Sequence, residues 1–400
     1  MAGDGFGGAG LRTGTRGDDG MIHPKRRIAA PILLAGIAIL LAACGGSDNR
    51  QNSLDPKGPA AQKINDLFLP ILALAVVIGI LVVGATVYMA IRFRQREGRS
   101  DNPKQIHGHT ALEIGWTIVP ALILAVVAVP TVSTIWDLAE RPVGANVLKV
   151  DVVGKQWWWQ FQFPQQHLVP QSTQLHYNPN DTKGMVTTST ELHIPVGTKV
   201  DVGLHSYDVI HSFWIPELNG KKDVMPARTN RLTLEASKPG IYLGACAEYC
   251  GLSHADMRMR VIAEPMADWL KWRDQMAGGP AQPYAGDIAT LTSKTYSCTN
   301  CHLFNNSKDG GPYGPNLTHL ASRTTFAGGK YELNKKNLLR WVQNAPGLIS
   351  MSSKDCRIQP PPKNVICVGM PSFTKNTPHG AKQMTPEDAN TIVTYLMGEK

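Results

Sequence analysis

Between Cys246 and Met257 the chain reads Cys-Ala-Glu-Tyr-Cys-Gly-Leu-Ser-His-Ala-Asp-Met. Two thiols, an imidazole and a thioether share one short segment. A second imidazole, His211, opens an earlier stretch, His-Ser-Phe-Trp-Ile-Pro-Glu-Leu. Soft sulfur ligands with imidazoles favour copper over magnesium or calcium. A mononuclear blue site needs one Cys, two His and a weak axial Met, whereas here there are two Cys. Two thiolates can bridge two copper ions, with His211 and His254 each closing one metal. Met257 and a main-chain carbonyl, that of Glu248, are then the weak axial ligands. Such a pair shares one unpaired electron and changes little in geometry on redox, which suits electron transfer. Two other readings fit the same residues. Cys246 and Cys250 could form a disulfide in an exported domain, or two Cys and two His could hold zinc, which leaves Met257 without a role.

A second constellation lies downstream, Cys298-Thr-Asn-Cys301-His302. C-x-x-C-H is the attachment signature of c-type haem, with two thioethers and His302 as the proximal iron ligand. Thioredoxin-like redox sites give false positives. Gly314-Pro-Asn-Leu-Thr-His319 resembles the loop that packs the proximal side in cytochromes c, and Met370-Pro-Ser-Phe373 resembles the segment that delivers the axial Met. Met370 is preferred over Met351 and Met384 on that precedent, and a Met/His pair raises haem potential relative to bis-His. His319 is expected at the surface or the haem edge.

The residues from His211 to Leu218, the run Asp223-Val-Met-Pro-Ala-Arg228, and Pro239-Gly-Ile-Tyr-Leu-Gly-Ala-Cys-Ala-Glu-Tyr-Cys-Gly-Leu-Ser-His254 together resemble subunit II of the haem–copper cytochrome c oxidases. That resemblance implies a dinuclear copper centre on a cupredoxin-type sandwich, with His211, Cys246, Glu248 through its carbonyl, Cys250, His254 and Met257 as ligands. It implies that Trp157, in Gln156-Trp157-Trp158-Trp159, accepts electrons from cytochrome c. Lys155 and Trp158 stand where many relatives have His and Tyr, so the docking surface is expected to differ. It implies that Glu113 lies at the mouth of a proton path, and that the Glu248 carboxylate binds magnesium at the interface with the catalytic subunit. A carboxylate suits that hard cation.

These sites need elements to position them. The 400 residues give room for two or three domains. Residues 67–91 are roughly 25 residues without a formal charge, long enough to span a bilayer. Arg92, Arg94, Arg96, Arg99 and Lys104 follow, a basic loop expected on the cytoplasmic side. The second apolar run, 114–136, returns the chain outward. From 146 the pattern becomes short β-rich runs: 147–153, 159–163, 190–196, 199–204, 229–235, 240–244 and 259–262. With Gly and Pro punctuation this predicts a β-sandwich. The copper loop is expected to join two adjacent strands, with His211 brought close from an earlier loop. A short helix over 268–276, a linker at 278–283, a helix at 338–342 and a capped closing helix from Thr385 to Leu396 complete the pattern.

The N-terminus reads as a leader. Lys25-Arg-Arg27, an apolar run over 28–41 and Leu41-Ala-Ala-Cys44 describe an export signal resembling a lipobox, with lipid on Cys44. The formal net charge is +9. Removing five bases and three acids with the leader leaves about +7, and no nucleic-acid motif accompanies that charge. In an exported domain Cys356 and Cys367 pair by default.

The expected architecture is a membrane protein. A leader spans 1–43, a linker 44–66, a transmembrane hairpin 67–136, a cupredoxin-like Greek-key β-sandwich 146–264, a helix and linker 265–284, and an all-α class I cytochrome c domain 285–400. The resemblance implies a respiratory wire in the bacterial plasma membrane, with both metal domains on the exterior side. Haem c passes electrons to the dinuclear copper and on to a catalytic subunit that reduces oxygen to water with proton pumping. Implied partners are oxidase subunits I and III, cytochrome c or a cytochrome bc complex as donor, and membrane lipid. A copper-handling protein would need no haem. A soluble Cu(A) reductase would lack the paired spans, and a quinol oxidase subunit II loses the copper ligands.

Overall fold

The computed structural model describes residues 51–95, 98, 105, 107–144, 146–164, 185–279, 281–304, 313–351, 369–374 and 382–398. The leader with Cys44, most of the basic loop, and the Cys356–Cys367 pairing lie outside the described residues.

Two long helices come first, α1 (Pro59–Arg92) and α2 (Thr110–Ala139). Both are long and apolar enough to cross a membrane. Their most apolar stretches are not buried in the protein, so their apolar faces are left for lipid. Helix α1 begins about two turns earlier than hydropathy predicts. Pro59 sits at its first turn, where a missing N–H costs nothing. Its polar foot is tied to the end of α2 by Lys63–Asp137 at 2.7 Å. The stretch predicted as linker is therefore partly helix and partly stitched to the sandwich. Lys57 N–H donates to the Glu217 carbonyl at 2.7 Å, and Ser237 N–H donates to the Lys57 carbonyl at 2.8 Å.

The β-sandwich consists of β1 (Leu148–Lys155), β2 (Trp158–Pro164), β3 (Met185–Ser189), β4 (Glu191–Pro195), β5 (Val200–Ser206), β6 (His211–Trp214), β7 (Lys222–Val224), β8 (Asn230–Leu234), β9 (Gly240–Cys246) and β10 (Arg258–Glu264). One sheet has the order β3-β2-β1-β5-β8 and the other β4-β10-β9-β6-β7. The core lies between them: Trp159, Phe161, Leu192, Ile194, Leu204, Phe213 and Val261 are fully buried. Alternating apolar residues supply this interior, as in the buried–partly buried alternation of β10. Three strands escaped the sequence pattern, namely β3, β6 and β7. The last two have four and three residues, too short for alternation to register.

Helix α3 (Met266–Ala277) follows, seating Trp269 and Met276 on the sandwich core. The C-terminal region has its own apolar cluster, including Ile288, Phe304, Leu338, Val342, Phe373, Ile392 and Leu396. Its helices are α4 (Asp287–Thr290), α5 (Lys335–Asn344) and α6 (Pro386–Gly398). A two-residue pair, β11 (Thr325–Phe326) with β12 (Tyr331–Glu332), joins them. The predicted closing helix is capped as expected, the Asp388 N–H donating to the Thr385 hydroxyl at 3.1 Å.

Candidate metal centre

The copper-type loop is the connection between β9 and β10, which pair antiparallel with Ala245 opposite Arg258. Cys246 ends β9, and its N–H donates to the Met257 carbonyl at 2.9 Å, closing the base of the loop. His211 does not come from a loop, as the sequence pattern predicts. It opens strand β6, whose Phe213 pairs with Cys246. Ladder hydrogen bonds thus set the spacing between the imidazole and the thiol, and the Ala247 N–H donates to the Ser212 carbonyl at 2.9 Å.

The predicted donors converge. The two sulfurs lie 3.8 Å apart, and both cysteines are free. That separation is far beyond the ~2 Å of a disulfide, so the disulfide reading falls. His211 Nδ1 is 3.9 Å from the Cys246 sulfur, and His254 Nδ1 is 3.6 Å from the Cys250 sulfur. The Met257 sulfur is 3.8 Å from that of Cys250, and the Glu248 carbonyl is 3.2 Å from that of Cys246. The arrangement is two central sulfurs, one imidazole on each, and a weak donor beside each. Among the described residues, His211, Cys246 and Cys250 form a buried group able to hold a metal ion. Zinc uses four strong donors and would leave the thioether idle; the position of Met257 favours copper.

Electrostatics make Cys246 the thiolate of the pair and leave the proton on Cys250. Cys246 is held well below the ordinary thiol value, chiefly by its contact with Cys250 and then by His211, against the opposing effect of burial. Cys250 is pushed up, because one proton serves the two sulfurs and the site is buried. Burial works to lower the His211 pKa, but hydrogen bonds to Asp208 and Cys246 outweigh it and raise it.

Asp208 is a site residue the sequence analysis missed. Its Oδ1 accepts from His211 Nε2 at 2.8 Å, which turns Nδ1 toward the sulfurs. Its Oδ2 accepts from the Gln156 N–H at 2.7 Å. The only sequence signal was a carboxylate three positions before a candidate ligand. Gln156 was missed as well. Its side-chain amide and the Trp157 indole N–H both donate to the Cys250 carbonyl, at 2.8 and 3.0 Å. Trp157 is partly buried against the core rather than free, and it is bonded directly to the loop that carries Cys250. Lys155 is buried under the neighbouring aromatics, its ammonium 4.9 Å from the Trp158 ring and 5.1 Å from Tyr207. Burial lowers its pKa to about 8.

Gly154 packs on the far side of His211. A Cβ built there would lie 2.7 Å from the imidazole Cδ2. Gly154→Ala is therefore expected to tilt His211 and lower copper affinity by ~10–100-fold, the range for disturbed outer-shell support. Copper titration of the purified chain measures it, and unchanged affinity refutes it.

The Glu248 carboxylate is exposed beside the loop. Glu113 is exposed in the first turn of α2, where a carboxylate favours the helix dipole.

In the C-terminal region Cys298 and Cys301 are free thiols, and burial pushes Cys298 up to about 11. His302 Nδ1 lies 2.8 Å from the Pro315 carbonyl, leaving Nε2 for another partner. Burial holds the His302 pKa below its ordinary value. The segment carrying Met370 is anchored by Phe373, whose N–H donates to the Gln343 carbonyl at 2.8 Å. Met370 is partly buried on the same apolar cluster as Cys298, whereas Met384 is a core residue, 4% exposed. His319 is not at the surface. It is buried, with Nε2 3.2 Å from the Gly278 carbonyl.

A β-sandwich with a cysteine–histidine–methionine metal loop, carried on two apolar helices, defines a membrane-anchored cupredoxin-like protein. The comparisons narrow the class. The family model for the periplasmic domain of cytochrome c oxidase subunit II matches residues 148–264, and that for its transmembrane domain matches residues 49–134. Cytochrome c oxidase subunit 2 of Alkalihalophilus pseudofirmus is 35% identical over 79% of this chain and 87% of its own length. The Bacillus subtilis protein of that name is 30% identical over 78% and 87%. A quinol oxidase subunit 2 of Bacillus cereus is 32% identical over 58% and 75%. The solved periplasmic domain of subunit II from Bradyrhizobium japonicum is 27% identical, covering 32% of this chain and 92% of that one at a TM-score of 0.26. The chain belongs to the cytochrome c oxidase subunit II family. It is a membrane protein and a subunit of an oxidoreductase, and membership implies a dinuclear copper centre, which the donor set fits.

Proposed function

We propose that this chain receives electrons for a haem–copper terminal oxidase through a c-type haem on its C-terminal domain, and passes them through a dinuclear copper centre to the catalytic subunit. The observation that carries the reading is the pair of unbridged sulfurs 3.8 Å apart with an imidazole beside each. His211, Cys246, Cys250, His254, Met257 and the Glu248 carbonyl would hold the copper pair, which supplies one-electron redox with little change of shape. The chain's own residues do the positioning. Strands β6 and β9 hold one imidazole against one sulfur, Asp208 orients that imidazole, and the Gln156 and Trp157 N–H groups hold the Cys250 carbonyl. A site so braced has little freedom to reorganise between oxidation states.

Cys298 and Cys301 would carry the haem through thioethers. His302 would be the proximal ligand, supported by its Nδ1–Pro315 contact, and Met370 the distal one. This makes residues 285–400 a cytochrome c domain of the all-α class I type. Trp157, bonded to the copper loop, is the electron-accepting aromatic. Glu113 serves the mouth of a proton path, and the Glu248 carboxylate contributes to a magnesium site completed by the catalytic subunit. Cytochrome c or a cytochrome bc complex is the donor. Both metal domains face the exterior, where thioether haem attachment takes place, and oxygen is reduced to water in subunit I with proton pumping. The family's quinol oxidase relatives make a quinol-linked role the main rival, and the complete copper donor set argues against it.

Metal and haem analysis of the purified full-length chain tests the proposal. Two copper ions and one covalent haem per chain are expected. One zinc, or copper without covalent haem, overturns the corresponding half.

A further inference from the structure

A buried polar seam joins the C-terminal region to the sandwich. Glu191, the first residue of β4, is fully buried. Its carboxylate accepts the N–H groups of Thr324 and Thr325, at 3.1 and 3.0 Å to Oε1, and both threonine hydroxyls. A buried carboxylate is costly unless it is multiply hydrogen-bonded, and here these donors come from a segment more than a hundred residues away in sequence. Beside it the Arg323 guanidinium crosses the same seam. It donates to the Ser189 hydroxyl at 2.8 Å and to the Asn316 carbonyl at 2.6 Å. Burial lowers its pKa to about 10, opposed by Glu191, so it stays charged at neutral pH.

The seam continues onto the copper loop. Lys330 Nζ is 2.8 Å from Asp256 Oδ1, and the Ser253 hydroxyl donates to the Ser350 carbonyl. Gly328, at φ +67°, lies so close to the Asp256 carbonyl that a Cβ would run into it. Ser253 and Asp256 flank His254. The same stretch of the C-terminal domain, 323–330, thus grips the outer sheet edge at one end and the copper loop at the other.

We propose that the C-terminal domain is seated on the copper sandwich in one fixed orientation, latched by Glu191 and Arg323, with its 326–330 turn held against the loop that carries His254. A flexible tether would raise only the local concentration of a donor, whereas a seat also fixes distance and orientation. The functional meaning rests on the haem reading above; the seat itself does not.

Hydrogen–deuterium exchange on the full-length chain in its oxidase complex tests it. The wild-type stretch 320–330 is expected to exchange slowly. Glu191→Ala should speed exchange there at least ~10-fold, the scale of losing charge-assisted hydrogen bonds, while β1 and β2 keep their protection and copper content is unchanged. Gly328→Ala attacks the seat from the opposite side and should act in the same direction, which covers misfolding of the first variant. In a second arm an added photosensitiser with a sacrificial amine donor would give the haem one electron, which then leaves the ferrous iron as the oxidised copper pair gains one. That step should be a single phase in the wild type, and slower by at least ~10-fold or multiphasic in both variants, as expected when a bound encounter becomes a search. Fast exchange of 320–330 in the wild type, or exchange unmoved by either variant, overturns the seat. Loss of copper from Glu191→Ala with unchanged exchange also overturns it, because the residue then serves only the sandwich. Absence of covalent haem removes the haem reading and leaves the exchange arm to decide the seat.

Discussion

Cys250→Ser is expected to strip the copper centre and stop electron transfer through this chain. The serine hydroxyl is a hard, neutral donor at physiological pH, whereas the site is built for soft thiolate. Cys250 has contacts that serine cannot replace. Its sulfur faces that of Cys246 at 3.8 Å, His254 Nδ1 at 3.6 Å and the Met257 sulfur at 3.8 Å. Removing it takes away one of the two central sulfurs and leaves His254 and Met257 without the atom they flank. Copper content should fall from two to at most one per chain. Oxidase turnover should drop by more than ~100-fold, since disturbing outer-shell partners alone costs about 10–100-fold. The fold should survive, because backbone hydrogen bonds close the loop, Cys246 N–H to the Met257 carbonyl among them. Thermal stability should still fall in copper-containing buffer, because a ligand bound only by the native state stabilises by mass action. Two retained copper ions with normal turnover would sink the assignment. Adding a chelator to the wild type should reproduce the stability loss, with β-sheet circular dichroism intact at low temperature.

Replacing Cys298 and Cys301 together by alanine should abolish covalent haem, seen as loss of haem stain on a denaturing gel. The copper centre should remain, because the sandwich has a separate core. Turnover with an external cytochrome donor should fall steeply if the tethered haem is the obligatory first acceptor. Wild-type turnover in the double variant would mean that the donor reaches Trp157 directly. Two further variants separate the candidate axial ligands. Met370→Ala should change the haem spectrum with little loss of folding stability, as its side chain is only partly buried. Met384→Ala should leave the spectrum intact but cost about 2–5 kcal/mol, the range for a truncated core methionine. Reversal of these two outcomes would move the axial role to Met384.

Much of this was legible in the residue order because the ligands are clustered. Cys246, Cys250, His254 and Met257 occupy one short loop, so their types and spacing point to a metal site before any fold is considered. Cys298, Cys301 and His302 are likewise local. The apolar helices were legible because lipid-facing segments need uninterrupted hydrophobicity over a fixed length. The start of α1 was missed because its polar foot, with Lys63 and Asp66, carries no hydrophobic pattern and is held by the partner helix. Strands β6 and β7 were missed because ladder pairing rather than alternation defines them.

What amino-acid order alone determined is the donor chemistry: which sulfurs and imidazoles lie within one loop's reach. The tertiary structure decided how those donors are held. His211 stands across the sheet from Cys246, thirty-five positions apart in sequence, and only the β6–β9 ladder brings them together. Asp208, Gln156 and Glu191 look like ordinary surface polar residues until folding buries Glu191 fully and the other two in part. Each then finds hydrogen-bond partners set by which strands and loops become neighbours in three dimensions.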